Sequence, residues 1–221
     1  GKYGGDTAID EVYVPINLAY DARRVSVRLT VPYLNVQAPE GTVVEGPDGE
    51  QVIGEGPVST ESGIGDVIAA LTVYDVLALA DGEFVMDLTG EIKFGTADED
   101  KGLGTGQNDY SVRADAFRFF DRFTAIGSVG YLFRGDPAEI DLEDVIFASA
   151  GGSYAVSSQT RLGLFYDFQE ASVSGNDAMQ ELSASFSSRP GENWWMTGYL
   201  SAGFSDSSPD WGAGISFTAG F

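Results

Sequence analysis

Ionisable side chains recur at alternate positions through several stretches of this chain. Arg24 and Arg28 share one phase, Asp87, Glu91 and Lys93 another, and the pattern returns in Arg113 with Asp115 and in Arg161 with Asp167. Asp66 and Glu181 hold the polar phase of their own stretches. In an extended chain, period-two spacing puts such residues on one face. A face of mixed charge either pairs within itself or lines a watery passage that selects solutes by size and charge. A hairpin folded across residues 95–107 brings Glu91 towards Arg113. Acid–base or nucleophilic chemistry is disfavoured. The sequence has no His and no Cys, which removes the usual general base, the commonest metal ligand and every thiolate or disulfide site. No Ser or Thr has a histidine partner. No catalytic residue, metal ligand or cofactor is assigned, and an enzyme is not expected.

The elements that carry these charges read as strands. Eleven alternating segments fall near 11–20, 25–33, 65–75, 84–94, 109–119, 124–133, 145–156, 160–169, 179–187, 194–204 and 211–221. The first sets Val12, Val14, Ile16, Leu18 and Tyr20 on one face; the second sets Val25, Val27, Leu29, Val31 and Tyr33 opposite Arg24, Ser26, Arg28, Thr30 and Pro32. The last alternates Trp211, Ala213, Ile215, Phe217, Ala219 and Phe221 with small or hydroxylated residues. Only 145–156 is too rich in Gly and Ala to fix its facing. Segments of about ten residues suit a tilted strand crossing a bilayer. No apolar run reaches the ~18 residues that a transmembrane helix needs.

Connections alternate in length. Short turns fall near 21–23, 77–83, 120–123, 157–159 and 189–193, and longer loops at 37–62, 95–107, 134–144, 170–177 and 205–210. Aromatics sort with them. Tyr33, Phe94, Tyr110, Phe133, Phe168 and Trp211 lie near long loops, whereas Tyr20, Phe84, Phe120, Phe123, Trp194 and Phe221 lie near short turns. Two aromatic girdles, short turns on one side and long loops on the other are features of outer-membrane barrels. A secreted β-sandwich explains the alternation, but not the sorted loops, the two belts or the terminal aromatic. The expected fold is therefore all-β: one antiparallel, up-and-down transmembrane β-barrel domain over residues 1–221. Phe221 resembles the C-terminal aromatic that membrane-targets such barrels and is read by the outer-membrane assembly machinery. Eleven strands make an odd number, and closed bacterial barrels have an even one, so about twelve strands are expected, the twelfth upstream of Gly1 or supplied by another chain.

The net charge of −22 argues against a nucleic-acid partner, because phosphate contacts need Lys and Arg. Eighteen of the thirty-four acids lie in the five long loops, opposed there by Lys101 and Arg134. A solvated outer face is the plain reading. The expected partners are membrane lipid and lipopolysaccharide, with divalent cations at the external loops as a further candidate, since carboxylates are hard ligands for calcium. The Asp98, Glu99, Asp100 cluster lacks the spacing of a known calcium loop. Oligomeric state is not encoded in any feature of the sequence.

Several stretches carry a family resemblance: GKYGGDTAIDEVYVPINLAY, VSVRLTVPYLNV, SGIGD (62–66), KGLGTGQND (101–109), GYLFRGD (130–136) and SPDWGAGISF (208–217). In order and over nearly the whole chain, they resemble the outer-membrane transporters named for a MetA pathway of phenol degradation. The proline-threonine pair usual before KGLGTG is missing here, where the chain reads KFGTADEDKGLGTG. The motif glycines Gly102, Gly104 and Gly106 are expected to serve tight turns. The resemblance implies a bacterial, Gram-negative outer-membrane channel passing small solutes, apolar or aromatic among them. A non-conducting scaffold barrel that makes surface contacts through loop 37–62 is the alternative.

Overall fold

A computed structural model describes residues 7–43, 54, 56–79, 82–135, 137 and 141–220. Twelve strands form one antiparallel sheet: β1 Asp10–Asp21, β2 Val25–Pro39, β3 Val58–Ile64, β4 Val67–Leu79, β5 Phe84–Phe94, β6 Asp109–Phe119, β7 Phe123–Phe133, β8 Val145–Ala155, β9 Thr160–Gln169, β10 Met179–Ser188, β11 Trp194–Gly203 and β12 Gly212–Ala219. Each strand pairs with the next along the path β1-β2-β4 to β12, and β3 pairs with β2 beside that path. The eleven segments of the sequence reading are the eleven positions of this path. Turns follow the expected rule; between β1 and β2, the Ala22 N–H donates to the Val25 carbonyl at 2.8 Å.

The alternation sorts as a membrane wall requires. Val27 (50% exposed), Leu29 (41%), Leu88 (42%) and Val129 (54%) stand on the surface, not in a dry centre. Ile16, Leu18, Leu164, Leu200, Ile215 and Phe217 are exposed likewise. Such a face is stable only against lipid, where the strand ladder satisfies the backbone internally and the side chains meet acyl chains. Gly and Ala leave β8 ambiguous in sequence. Its register resolves the facing: Ile146 and Tyr154 are exposed, whereas Phe147 opposes Gly130 of β7 on the other face.

Two elements differ from expectation. The segment 37–62 is not wholly loop. β2 runs on to Pro39, and β3 pairs with its upper half from Tyr33↔Ile64 to Pro39↔Val58, while the lower half pairs with β4 from Val25↔Val73 to Thr30↔Ile68. β3 and β4 thus form one wall position broken at Gly65 and Asp66. β4 also continues past residue 75, to Leu79, through a register shift between Val73 and Leu77. The shift is made at Asp75, whose φ of 53° is left-handed and bends the strand as a bulge does.

β1 and β12 are the sheet's two ends, and no pairing joins them among the described residues. Both run from the long-loop end to the short-turn end. Direct pairing of the two would be parallel, so an antiparallel closure takes one further strand running the other way. The twelfth strand expected upstream of Gly1 lies outside the described residues.

Candidate functional site

On the face opposite the apolar one, cross-strand register lines up carboxylates. Asp87 opposes Asp115, Asp115 opposes Ser128, Ser128 opposes Ser149, Ser149 opposes Asp167, and Asp167 opposes Glu181. One row of acid and hydroxyl groups therefore runs across β5 to β10. Like charges directly opposite repel, and neighbouring groups relieve part of that. Arg113 Nε lies 3.0 Å from Asp115 Oδ2. Ser183 Oγ donates to Asp167 Oδ2 at 3.2 Å, and the Asp75 backbone N–H donates to Asp87 Oδ1 at 2.9 Å. Asp87 thereby secures the bulge in β4.

The remaining sequence candidates spread over other levels. Arg28 opposes Ala70 from one side and Glu91 opposes it from the other. Glu91 also opposes Ser111, while Arg113 opposes Thr89, so Glu91 and Arg113 are diagonal neighbours rather than a facing pair. Arg161 lies at the turn end of β9, with Nη1 3.5 Å from Ser153 Oγ. Arg24 sits in the β1–β2 turn, where its carbonyl accepts the Tyr74 N–H at 2.9 Å. Phe221 lies outside the described residues.

Asp66 and Lys93 belong to a different structure at the long-loop end. Lys93 Nζ lies 2.7 Å from Asp109 Oδ2 and 3.5 Å from Asp66 Oδ2, and Arg134 Nη1 lies 3.5 Å from Asp109 Oδ2. The carboxylates also accept backbone donors. Asp66 Oδ1 takes the N–H groups of Thr96 and Ala97, each at 2.8 Å, and Asp109 Oδ1 takes the Gly135 N–H at 2.8 Å. Arg134 Nη2 reaches Ser172 Oγ at 3.3 Å. Burial draws the Arg134 guanidinium down to about 10, since a low-dielectric site disfavours the charged form; it stays protonated at neutral pH. The four buried charges cancel in pairs.

Sequence reasoning missed Asp109 and Arg134 as partners of Asp66 and Lys93, yet a signal was present. Asp66 ends SGIGD, Asp109 ends KGLGTGQND, and Arg134 lies in GYLFRGD. Three separate motifs thus converge on one ion network. Between them runs the 95–107 segment, with a 3₁₀ turn at Glu99–Lys101 closed by Gly102 at φ 66°. Gly102 and Gly106 (φ 70°) do serve turns. Gly104 instead packs close, since a Cβ there would stand 2.7 Å from Asp66 Oδ2. Leu103 is 1% exposed and packs with Ile9, Leu34, Val36 and Ala38. Leu34, Val36 and Ala38 continue the polar-face phase of Arg28 and Thr30, so this apolar patch lies on the inner wall at the loop end. Among the described residues, no group of three or more potential ligands is arranged to hold a metal ion. Of the loop acids, Glu45, Asp48, Glu50, Glu55, Asp136 and Glu139 lie outside the described residues.

An antiparallel meander with a lipid-exposed outer face, a charged inner face and loops sorted by length is the fold of a bacterial outer-membrane β-barrel, and this protein is one. The chain belongs to the family described as MetA-pathway of phenol degradation, whose model matches residues 7–221. Among solved structures it is similar to the COG4313 outer membrane channel from Pseudomonas putida F1, with a TM-score of 0.68 and 10% identity over 95% of this chain and 80% of that one. A copper transporter, OprC, matches over 95% of this chain and 39% of its own, with 12% identity and a TM-score of 0.30. No curated protein matches the sequence.

Proposed function

We propose that this protein is a passive channel for small solutes across the outer membrane, with no catalytic step of its own. The observation that carries this reading is the continuous row from Asp87 to Glu181 on the face turned away from lipid. A wall with a dry outside and a charged, hydroxylated inside encloses water more readily than a packed core. Eleven wall positions fall between the ~8 strands that leave a filled interior and the ~16–18 that leave an open channel, so a narrow passage is expected. Membrane lipid and lipopolysaccharide are its surroundings under this reading.

Aromatic or apolar solutes fit as cargo. The inner face carries Phe117, which opposes Ile126, and Phe165, which opposes Gly151. Phe147 lies over Gly130, where any Cβ would collide with its ring. These rings offer flat apolar surface beside the polar row, and the family's description, phenol degradation, agrees with that chemistry. The non-conducting scaffold is kept as a second reading because the 95–107 segment covers inner-wall surface at the loop end. Purified protein in planar lipid bilayers separates the two. A channel gives discrete conductance that changes in Glu91→Ala and Arg113→Ala, with uptake of small solutes into liposomes. Silence in both assays, for every form, would leave only the scaffold.

A further inference from the structure

We propose that the 95–107 segment is an inward-folded flap that sets the size limit of the loop-side mouth, seated by Leu103 and latched by the Lys93 network. The inference rests on the channel reading, and it goes beyond it by naming which residues restrict passage.

The segment connects β5 to β6; its 3₁₀ turn at Glu99–Lys101 is exposed, yet the stretch after it, Leu103–Thr105, is buried rather than standing out in solvent as a surface loop would. Leu103 reaches past the β3–β4 wall position onto the inner face of β2, where Leu34 is 2% exposed beneath it. The contact is close on both sides: a Cβ at Gly63 would stand 2.9 Å from Leu103 Cδ1. Burying the leucine removes apolar surface from water and so favours the inward position of the flap. The latch adds direction. Thr96 and Ala97, at the start of the flap, donate to Asp66. Asn108 Oδ1, just beyond its end, accepts the Gly95 N–H at 2.9 Å. Lys93 then ties Asp66 to Asp109. Both ends of the flap are thus fixed to the wall by charge, and its middle is held by one apolar side chain. Space that Leu103 occupies inside the mouth is unavailable to a solute.

Liposome swelling with a pentose and with a tetrasaccharide measures the size limit directly. Leu103→Gly is expected to raise the tetrasaccharide rate relative to the pentose rate by at least about threefold, as widening a size-selective constriction should. Because that variant could misfold, a Gly63→Cys/Leu103→Cys pair gives an independent arm in a chain that otherwise has no cysteine. Oxidised, it holds the flap seated and keeps the tetrasaccharide out; reduced, it restores the larger rate. A third arm needs no conduction. Leu34→Cys should resist a membrane-impermeant thiol reagent while the flap is seated, and react at least about tenfold faster once Lys93→Met breaks the latch, since local opening governs the access of buried groups. Labelling that accelerates in a protein that never conducts would retain the flap and remove the channel. Conduction with size limit and labelling rate unchanged in all three forms would overturn the flap and leave the channel standing.

Discussion

At the scale of single residues, the buried charges decide more than the exposed ones. Arg118 and Glu83 pair at 2.8 Å, but both are substantially exposed, and such pairs contribute little in water. Asp109 is different. It is buried, accepts a backbone N–H from Gly135, and sits between Lys93 and Arg134. Removing it leaves two cations facing each other without their shared anion, which costs about 3–5 kcal/mol for a buried pair. Asp109→Ala should therefore lower the thermal unfolding midpoint in detergent more than Asp109→Asn, which retains an acceptor for Gly135. Asp75 supplies the opposite case. Its φ of 53° costs an L-residue about 1–2 kcal/mol, whereas its backbone N–H, not its side chain, makes the bond to Asp87. Asp75→Gly should be stabilising by about 1 kcal/mol, and Asp75→Val destabilising; urea unfolding of the two variants compares them.

At the scale of elements, the strands were legible because lipid imposes a strict rule. Every wall strand must alternate, so Val12 to Tyr20 or Leu162 to Tyr166 declare their outer face without any knowledge of neighbours. What was not legible depends on contacts between distant parts. β3 carries Ser59, Thr60, Glu61, Ser62 and Gly63, too polar to read as a strand; it exists because the upper half of β2 offers it a free edge. The flap was equally hidden, since Leu103 is one apolar residue in a glycine-rich stretch, and only the fold shows what it touches. Likewise, Asp66 and Lys93 have the phase of the other inner-face charges, and nothing local distinguishes a charge in a passage from one buried in a latch. The two-faced wall can be tested within one strand. Val129 faces outward midway along β7, and its neighbour Ser128 faces the polar row. Val129→Arg should cost about 2–4 kcal/mol, as a cation does on the lipid face near the midplane, whereas Ser128→Arg should cost far less. Folding into vesicles titrated with urea measures both, and equal costs would contradict the assignment of faces.

At the scale of the whole molecule, the proposed channel would take the direction of its selectivity from charge rather than shape. The net charge is −22, and the buried network of Asp66, Lys93, Asp109 and Arg134 cancels itself, so the excess acid lies elsewhere. Part of it is in the long loops, where it concentrates cations near the mouth. The rest includes the inner row, where Asp167 and Glu181 stand directly opposite one another and Asp115 is compensated by Arg113 of its own strand β6. A passage lined in this way admits cations more readily than anions. Under a potassium chloride gradient across a planar bilayer, the reversal potential should carry the sign of cation preference. The loop contribution should fade between about 0.1 M and 1 M salt, as the Debye length falls from about 10 Å to about 3 Å, whereas charges inside a narrow passage are screened less. The double variant Asp167→Asn/Glu181→Gln should therefore reduce the preference that survives at high salt, and neutralising Asp98 and Asp100 should reduce only the part seen at low salt. A reversal potential of the opposite sign, or one indifferent to the inner pair, would show that ions do not pass along this row.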